Sequence, residues 1–474
     1  MRSTLFLNPP SFEGFDGGAG SRYQARREVR SFYYPVWLAQ PAALVPGSRL
    51  VDAPARGLSL DDVLPMVDDR DLAVLHTSAP SFRADVQVAA ALKARKPGLM
   101  VGLVGPHVAV SPEACLEAAP AVDFVAGEEF DFTCAEIAQG RDLVEVAGIH
   151  HRVDGAVVAT PRRPVLETMD LLPSVLDVYR RDLVIEDYYN GYLMHPYVSV
   201  HTGRGCKSRC SFCLWPQTIG GHRYRTRSVD NVLAEMARVP ALFPQVKEIF
   251  FDDDTFTDDL PRAVEIARGM GRIGLPWSCN AKGNVPFEVL KTMRENGLRL
   301  LVVGYESGNQ QILHNIKKGM LIDRARRFTQ DCHALGIKIH GTFVVGLPGE
   351  TAETIRETMR FAREMNPYTI QVSVAAAYPG TSLHREAVEN GWLREAQAEG
   401  LVDERGLQVS SLTYPHLSHE EIFAAAAEFY KRFYLRPSKI VEIMSDMVRD
   451  RHELMRRLRE GVEFFRFLAA RKDA

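Results

Sequence analysis

Three of the chain's seven cysteines fall within GCKSRCSFC (205–213), as Cys206, Cys210 and Cys213. The spacing is C-x3-C-x2-C. A thiolate is a soft ligand, suited to iron or zinc. Structural zinc sites usually close with four ligands, often as two separated pairs. Here a single triplet follows a strand-like run in a Gly-rich loop, HTGRGC (201–206), and no fourth cysteine lies nearby. Three thiolates hold three irons of a four-iron cubane and leave the fourth open to a substrate. The competing reading is zinc completed from a distance, for example by His222. Cys115, Cys134, Cys279 and Cys332 are expected to be dispensable for iron.

The loop must be positioned by the elements around it. From Tyr197, strand-like runs alternate with helical stretches: YVSVHTG (197–203), EIFFDD (248–253), PWSCNA (276–281), RLLVVGYES (299–307), KIHGTFVVGL (338–347) and TIQVSVAAA (369–377). Six strand–helix units predict a partial TIM barrel over 191–400, working at the C-terminal ends of its strands. Ahead of it, over 1–160, TLFLN (4–8), SRLVDA (48–53), LAVLHTS (72–78), LMVGLVG (99–105) and VDFVAG (122–127) alternate with helical periodicity. That pattern predicts a Rossmann-like parallel sheet covered on both faces, within an α/β fold. Residues 161–190 read as a linker, and 401–474 as a mainly helical region.

The whole chain has 474 residues, 46% of them hydrophobic, with 57 basic and 60 acidic side chains. That is ordinary globular composition for two or three domains. The near-balanced charge argues against a general nucleic-acid binder. MRSTLFLNPP is too short an apolar run for a signal peptide. No stretch approaches a membrane span, and sparse cysteines fit a reducing cytoplasm.

The triplet, with Phe212 before its third cysteine and a barrel strand before its first, resembles the radical S-adenosylmethionine (SAM) superfamily. The resemblance implies a 4Fe–4S cluster, SAM bound at the open iron, and reductive cleavage to a 5′-deoxyadenosyl radical. It also implies an electron donor such as flavodoxin or ferredoxin. Other strand ends fit. FFDDDTFT (250–257) puts Asp253 and Asp254 toward the SAM amino group or the substrate, and Asn280 ends the next strand. GYESGNQ (304–310) puts Glu306 and Ser307 near the ribose or methionine part. GTFVVGLPGET (341–351) brings backbone near Val345 and Gly346 toward adenine.

A Rossmann-like sheet ahead of such a barrel resembles the cobalamin-binding subclass. LNPP (7–10), HTSAPSF (76–82), VGPHV (104–108) and AGEE (126–129) are the matching segments. By resemblance, Ser78 and Ser81 face the corrin, and Gly105 and His107 lie where its nucleotide tail is gripped. D-x-H-x-x-G is absent, so no histidine from that motif sits below cobalt. Val104 replaces the first of the usual two glycines. The stretches 8–54 and FYKRFYLRPSKI (429–440) resemble the radical SAM proteins of hopanoid biosynthesis. The implied reaction contracts the glucosamine ring of a bacteriohopanetetrol glycoside to a five-membered aminocyclitol ether. Asp254 and His107 are the candidates for its proton transfers. The alternatives are a cobalamin-dependent methyltransferase and a non-catalytic iron–sulfur or zinc module.

Two further segments carry expectations. Phe32, Tyr33, Tyr34 and Trp37 follow Arg22, Arg26 and Arg27 in a long aromatic stretch that either lines the sugar end of the site or packs on the sheet. Ile440, Ile443, Met444, Met447, Val448, Met455, Leu458, Val462 and Phe465 recur at helical spacing beside six arginines of 449–466. Such a helix either docks at the inner membrane surface, as a peripheral contact of a cytoplasmic enzyme, or packs on its own domain.

Overall fold

A computed structural model describes residues 1–10, 29, 31–393, 401–402, 408–449, 460–463 and 466. The front sheet is built from β1 (Thr4–Asn8), β2 (Arg49–Asp52), β3 (Leu72–His76), β4 (Met100–Val104) and β5 (Phe124–Ala126), all parallel. Leu7, Val51 and Leu75 bury one face, and Phe6, Leu50 and Val74 the other. Burial on both faces is why these strands read as apolar runs without alternation. Two antiparallel strands, β6 (Ile149–Val153) and β7 (Ala156–Ala159), extend the sheet to seven in the order β2-β1-β3-β4-β5-β6-β7. This hairpin was not expected. Its signal is Asp154-Gly155, both at positive φ, as a two-residue I′ turn requires. The strand order reverses between β1 and β3, and the C-terminal crevice at such a reversal is where open α/β sheets bind ligands.

The aromatic stretch and the 161–190 segment are both packed. Residues Val36–Leu44 form a helix against the front sheet. Residues Leu176–Asp182 form another, so the segment read as a linker contributes to the core. Tyr34 stacks on Tyr188 with ring centroids 4.1 Å apart. Its hydroxyl donates to the Tyr197 carbonyl at 2.6 Å.

The second sheet starts at that residue with β8 (Tyr197–Val200). A short antiparallel ladder of β9 (Gly203–Arg204) and β10 (Arg225–Thr226) brackets the cysteine loop. The sheet continues through β11 (Glu248–Phe251), β12 (Trp277–Ala281), β13 (Leu298–Glu306), β14 (Lys338–Val345) and β15 (Thr369–Val374). All six pair in parallel in chain order, β8 at one edge and β15 at the other. The result is a curled half-barrel, as the six strand–helix units predict.

An open half-barrel leaves β15 with unpaired backbone groups, a liability unless covered. Side chains cover it here. Tyr434 and Tyr430, on the helix His419–Tyr434, accept from the amides of Ile370 (2.9 Å) and Val372 (2.7 Å). Gln408 pairs with both backbone groups of Val374, at 3.0 and 2.7 Å. Four residues of helix rise about 6 Å and two of strand about 6.7 Å, so one helix face follows alternate strand residues. Removing one of these acceptors strands a buried amide. Tyr430→Phe is therefore expected to lower unfolding free energy by about 1–3 kcal/mol in urea melts; an unchanged midpoint would show that the edge is covered otherwise.

Among the described residues no helix is long and apolar enough to cross a membrane. In the helix Pro437–Arg449, Ile440, Val441 and Met444 are exposed. Met455, Leu458 and Phe465 lie outside the described residues.

Candidate active site

Gly205 enters the cysteine loop at φ +89, and a Cβ there would lie 2.3 Å from the Arg223 carbonyl oxygen. Only glycine fits so close to another backbone segment. Its amide donates to Asp254 at 2.9 Å. His222 faces the Ser208 carbonyl through Nδ1 at 2.9 Å, bracing the loop. The Gln217 amide donates to the carbonyls of Cys213 (2.8 Å) and Ser211 (3.1 Å), and its oxygen accepts from the Ser382 amide at 2.9 Å. Gln217 was not singled out from sequence, because a helix-borne glutamine carries no motif.

The three thiols form no disulfide and border one cavity of about 330 Å³ at the C-terminal end of the half-barrel. Cys206 and Cys210 are buried, and Cys213 half-buried. Phe212, Asp254, Asn280 and Glu306 line the same cavity. The side-chain amide of Asn280 donates to Asp252 Oδ1 and to the Asp253 carbonyl, both at 2.9 Å, which fixes the turn after β11. Among the described residues, no group of three His, Cys, Asp or Glu side chains converges on a single metal ion. Three thiols bordering a shared volume fit a polynuclear cluster.

Glu306 marks the far wall. It sits at φ +61, beside a register shift between β13 and β14. A left-handed glutamate is strained, and strain of this kind clusters at functional sites. The twist sends its carboxylate to Lys318 at 2.6 Å. Glycine at 304 makes room for the pair, since a Cβ there would lie 2.3 Å from Glu306 Oε1 and 2.8 Å from Lys318 Nζ. Burial alone would lower the Lys318 ammonium. Glu306 and the neighbouring thiols of Cys210 and Cys213 instead hold its pKa above the ordinary lysine value. Burial also pushes the Cys210 thiol up, while Lys318 draws it down. Lys318 escaped the sequence reading. Its signal is Lys-Lys-Gly at 317–319, where positive φ at Lys317 and Gly319 marks a tight turn.

Four residues assigned to this site lie elsewhere. Asp253 accepts from the Thr202 amide and hydroxyl (2.5 Å each) and from Tyr224 (2.7 Å). It ties strand ends together, and its neighbours Asp252 and Asp254 border the cavity. Ser307 is buried with its hydroxyl 3.1 Å from that of Thr358. Val345 is committed to the sheet: its carbonyl accepts from Ala375 at 2.8 Å. Gly346 donates its amide to Glu350 (2.7 Å), and its carbonyl accepts from Tyr414 (2.9 Å). A Cβ at 346 would lie 2.6 Å from Ile422, so its glycine serves helix packing. Val344, one residue earlier, borders the cavity.

Glu350 is fully buried, and burial raises its pKa to about 8, against the hydrogen bonds from Leu347 and Gly346. Between the usual glutamate value of about 4.3 and about 8, the folded state holds a proton that the unfolded state has released. Stability from this group therefore falls as pH rises through that window. Glu350→Gln should flatten the fall, as thermal melts from pH 5 to 8.5 would show; a slope equal to that of the unaltered chain would mean that Glu350 is ionised throughout.

At the front sheet, Ser78, Ser81 and Asp85 form a buried chain after β3, with Ser78–Ser81 hydroxyls 2.9 Å apart and Ser81 donating to Asp85 at 2.7 Å. Gly105 follows β4 at φ +124, and a Cβ there would lie 2.2 Å from the Thr77 carbonyl oxygen. His76, the last residue of β3, is buried with neither ring nitrogen hydrogen-bonded among the described residues. Burial lowers its pKa to about 3, which keeps it neutral. His107 packs against Phe82, with centroids 4.7 Å apart, and does not border the cysteine cavity. The structure thus separates the two proton-transfer candidates, Asp254 and His107.

The aromatic stretch divides. Phe32, Tyr34 and Trp37 are core residues. Tyr33 reaches the cavity wall, its hydroxyl 3.0 Å from that of Tyr192.

Comparison with known proteins follows this geometry. The chain is similar to an uncharacterized methyltransferase, PH0819, of Pyrococcus horikoshii, 28% identical over 435 residues and spanning 88% of this chain and 91% of that protein. It shares its fold with the radical S-adenosylmethionine methyltransferase TsrM from Kitasatospora setae, solved with cobalamin and a [4Fe-4S] cluster bound (15% identity, TM-score 0.68, 92% of this chain and 90% of that one). It also shares its fold with the cobalamin-dependent S-adenosylmethionine radical enzyme OxsB, solved with aqua-cobalamin and S-adenosylmethionine (14% identity, TM-score 0.71, 97% and 72%). The model of the Radical SAM superfamily matches residues 200–362. That span runs from the end of β8, through the cysteine loop, to the helix after β14.

Proposed function

We propose that the protein is a cobalamin-dependent radical SAM enzyme whose reaction is methyl transfer. The carrying observation is the set of three cysteine thiols on one loop that border one cavity with the Glu306–Lys318 pair. The likeness to a Pyrococcus methyltransferase and to the methyltransferase TsrM supports methyl transfer, and the cobalamin bound in TsrM and OxsB supports the cofactor. Cys206, Cys210 and Cys213 would hold the cluster. Ser78, Ser81, Gly105 and His107 would border cobalamin at the β1/β3 reversal, where the two ring nitrogens of His76 find no hydrogen bond among the described residues. When bound, the cluster supplies single electrons for SAM cleavage, and cobalamin supplies a methyl carrier. This chain's residues do the rest. Lys318 offers an ammonium to an anionic group entering beside the thiols, and Glu306 keeps that ammonium charged. Asp254 and Asn280 fix the loop and the turn after β11. Phe212 adds an apolar ring to the lining of the same cavity. An electron donor such as flavodoxin or ferredoxin belongs to the same proposal.

Anaerobic reconstitution with iron, sulfide and hydroxocobalamin, followed by product analysis, tests it. A corrinoid absorption band, S-adenosylhomocysteine and a methylated product are expected. Absence of a corrinoid band would remove the front-sheet assignment.

A second reading is ring contraction of a hopanoid glycoside. The observation favouring it is Tyr33, which comes from the stretch resembling hopanoid enzymes and reaches the cavity beside Tyr192. Aromatic faces stack on sugars and offer a polar edge. This reading brings a membrane-resident substrate, and exposed Val441 and Met444 would meet the bilayer. It predicts 5′-deoxyadenosine without S-adenosylhomocysteine, and flotation of the protein with anionic liposomes. Methylated product would exclude it.

A further inference from the structure

Both ends of the cysteine loop are gripped by the front domain. Arg204, two residues before Cys206, is 2% exposed. Its guanidinium donates to both oxygens of Asp131, at 2.6 and 2.9 Å, and lies 3.5 Å from Glu129. Arg225, paired with it across the β9/β10 ladder, donates to both oxygens of Glu129 at 2.7 Å. Glu129 and Asp131 follow β5 of the front sheet. The outer face of Arg204 lies 4.5 Å from the ring of Trp37. Trp37 in turn stacks on Trp215, two residues past Cys213, with centroids 5.4 Å apart and 3° between planes. One indole of the front domain thus sits between the residues that enter and leave the loop.

Stability is a weak reason for such a group. Two buried guanidinium–carboxylate pairs gain little over apolar packing of the same volume, because each charge must be taken out of water. What bidentate pairing and ring stacking supply is direction. We infer that Asp131 and Trp37 are positioning residues of the iron–sulfur site: they fix Arg204 and Trp215, and through them the spacing of the three thiols. The front domain is then part of the cluster's scaffold, whatever its crevice holds. This rests on the reading of the three cysteines as cluster ligands.

The test uses the full chain, reconstituted anaerobically with iron and sulfide. Readouts are bound iron per protein and the electron paramagnetic resonance spectrum of the reduced cluster before and after SAM. Asp131→Asn is expected to weaken iron retention about tenfold or more, as loss of a ligand's outer partner does, and to blunt the SAM-induced spectral change. Trp37→Phe should keep most of what Trp37→Ala loses, since a ring still fills the gap. Glu248→Gln is the control. That carboxylate is equally buried and holds Arg299 at 2.9 Å, but it starts β11, at the opposite end of the sheet. It should lower thermal stability and leave both readouts unchanged. Should Asp131→Asn fail to fold, Glu129→Gln probes the same group. Unaltered iron and spectra in a folded Asp131→Asn, or in Glu129→Gln used in its place, would overturn the inference, as would equal losses in Glu248→Gln. A wild-type chain that binds no iron would instead overturn the cysteine assignment.

Discussion

Cys210→Ala is expected to abolish SAM cleavage and to strip most of the reconstitutable iron, while the chain stays folded. The thiol faces the cavity, and its neighbours are Cys206, Glu306 and two lysines. Alanine removes a few apolar contacts at the edge of the core, a small cost beside the loss of a ligand whose geometry nothing else supplies. The contrast is with the remaining cysteines. Cys115, Cys134, Cys279 and Cys332 are buried apart from the cavity, and burial raises their thiol pKa values, that of Cys115 to about 12. Alanine at each should lower stability and leave iron content unchanged. Iron and 5′-deoxyadenosine assays across the five variants decide the matter. Retained iron and turnover in Cys210→Ala would end the cluster assignment.

Lys318→Met is expected to keep iron but to weaken SAM binding and lower turnover by about a hundredfold, the scale seen when a preorganised charge partner is removed from a sheltered site. The substitution also leaves the strained, buried Glu306 carboxylate without its cation, which costs stability in its own right. The double variant Glu306→Gln/Lys318→Met separates the two effects. It removes both charges, so stability should recover while SAM affinity does not. Isothermal titration with SAM and thermal melts of the two variants and the unaltered chain give both quantities. Recovery of SAM affinity together with stability would reduce the pair to a structural role.

Much of the positioning machinery was legible because it is local. Residues 72–75 and 300–303 announce strands through short apolar runs, as the largely buried strands of a parallel sheet do. The hairpin at 149–159 was not expected, although Asp154-Gly155 is a local turn signal for it. The seam between the halves carried none. Arg204 and Asp131 are 73 residues apart, and Trp37 and Trp215 farther still. No periodicity links such pairs.

The site shows the same division. The C-x3-C-x2-C spacing alone put three thiols on one loop, because seven or eight residues of chain can only turn so far. Which residues face those thiols was decided by the fold. Side chains along a strand alternate between faces, and the turn after a strand follows no such rule. Asp253 therefore points back to Thr202 while Asp252 and Asp254 border the cavity. Ser307 turns away one residue after Glu306 turns in, at a bulge whose positive φ no motif records. Lys318 reaches the thiols from a separate turn. The sequence by itself determined which thiols share one loop and the strands that carry it. The tertiary structure decided which charge stands beside them, since a side chain's direction depends on backbone angles and on partners distant in the chain.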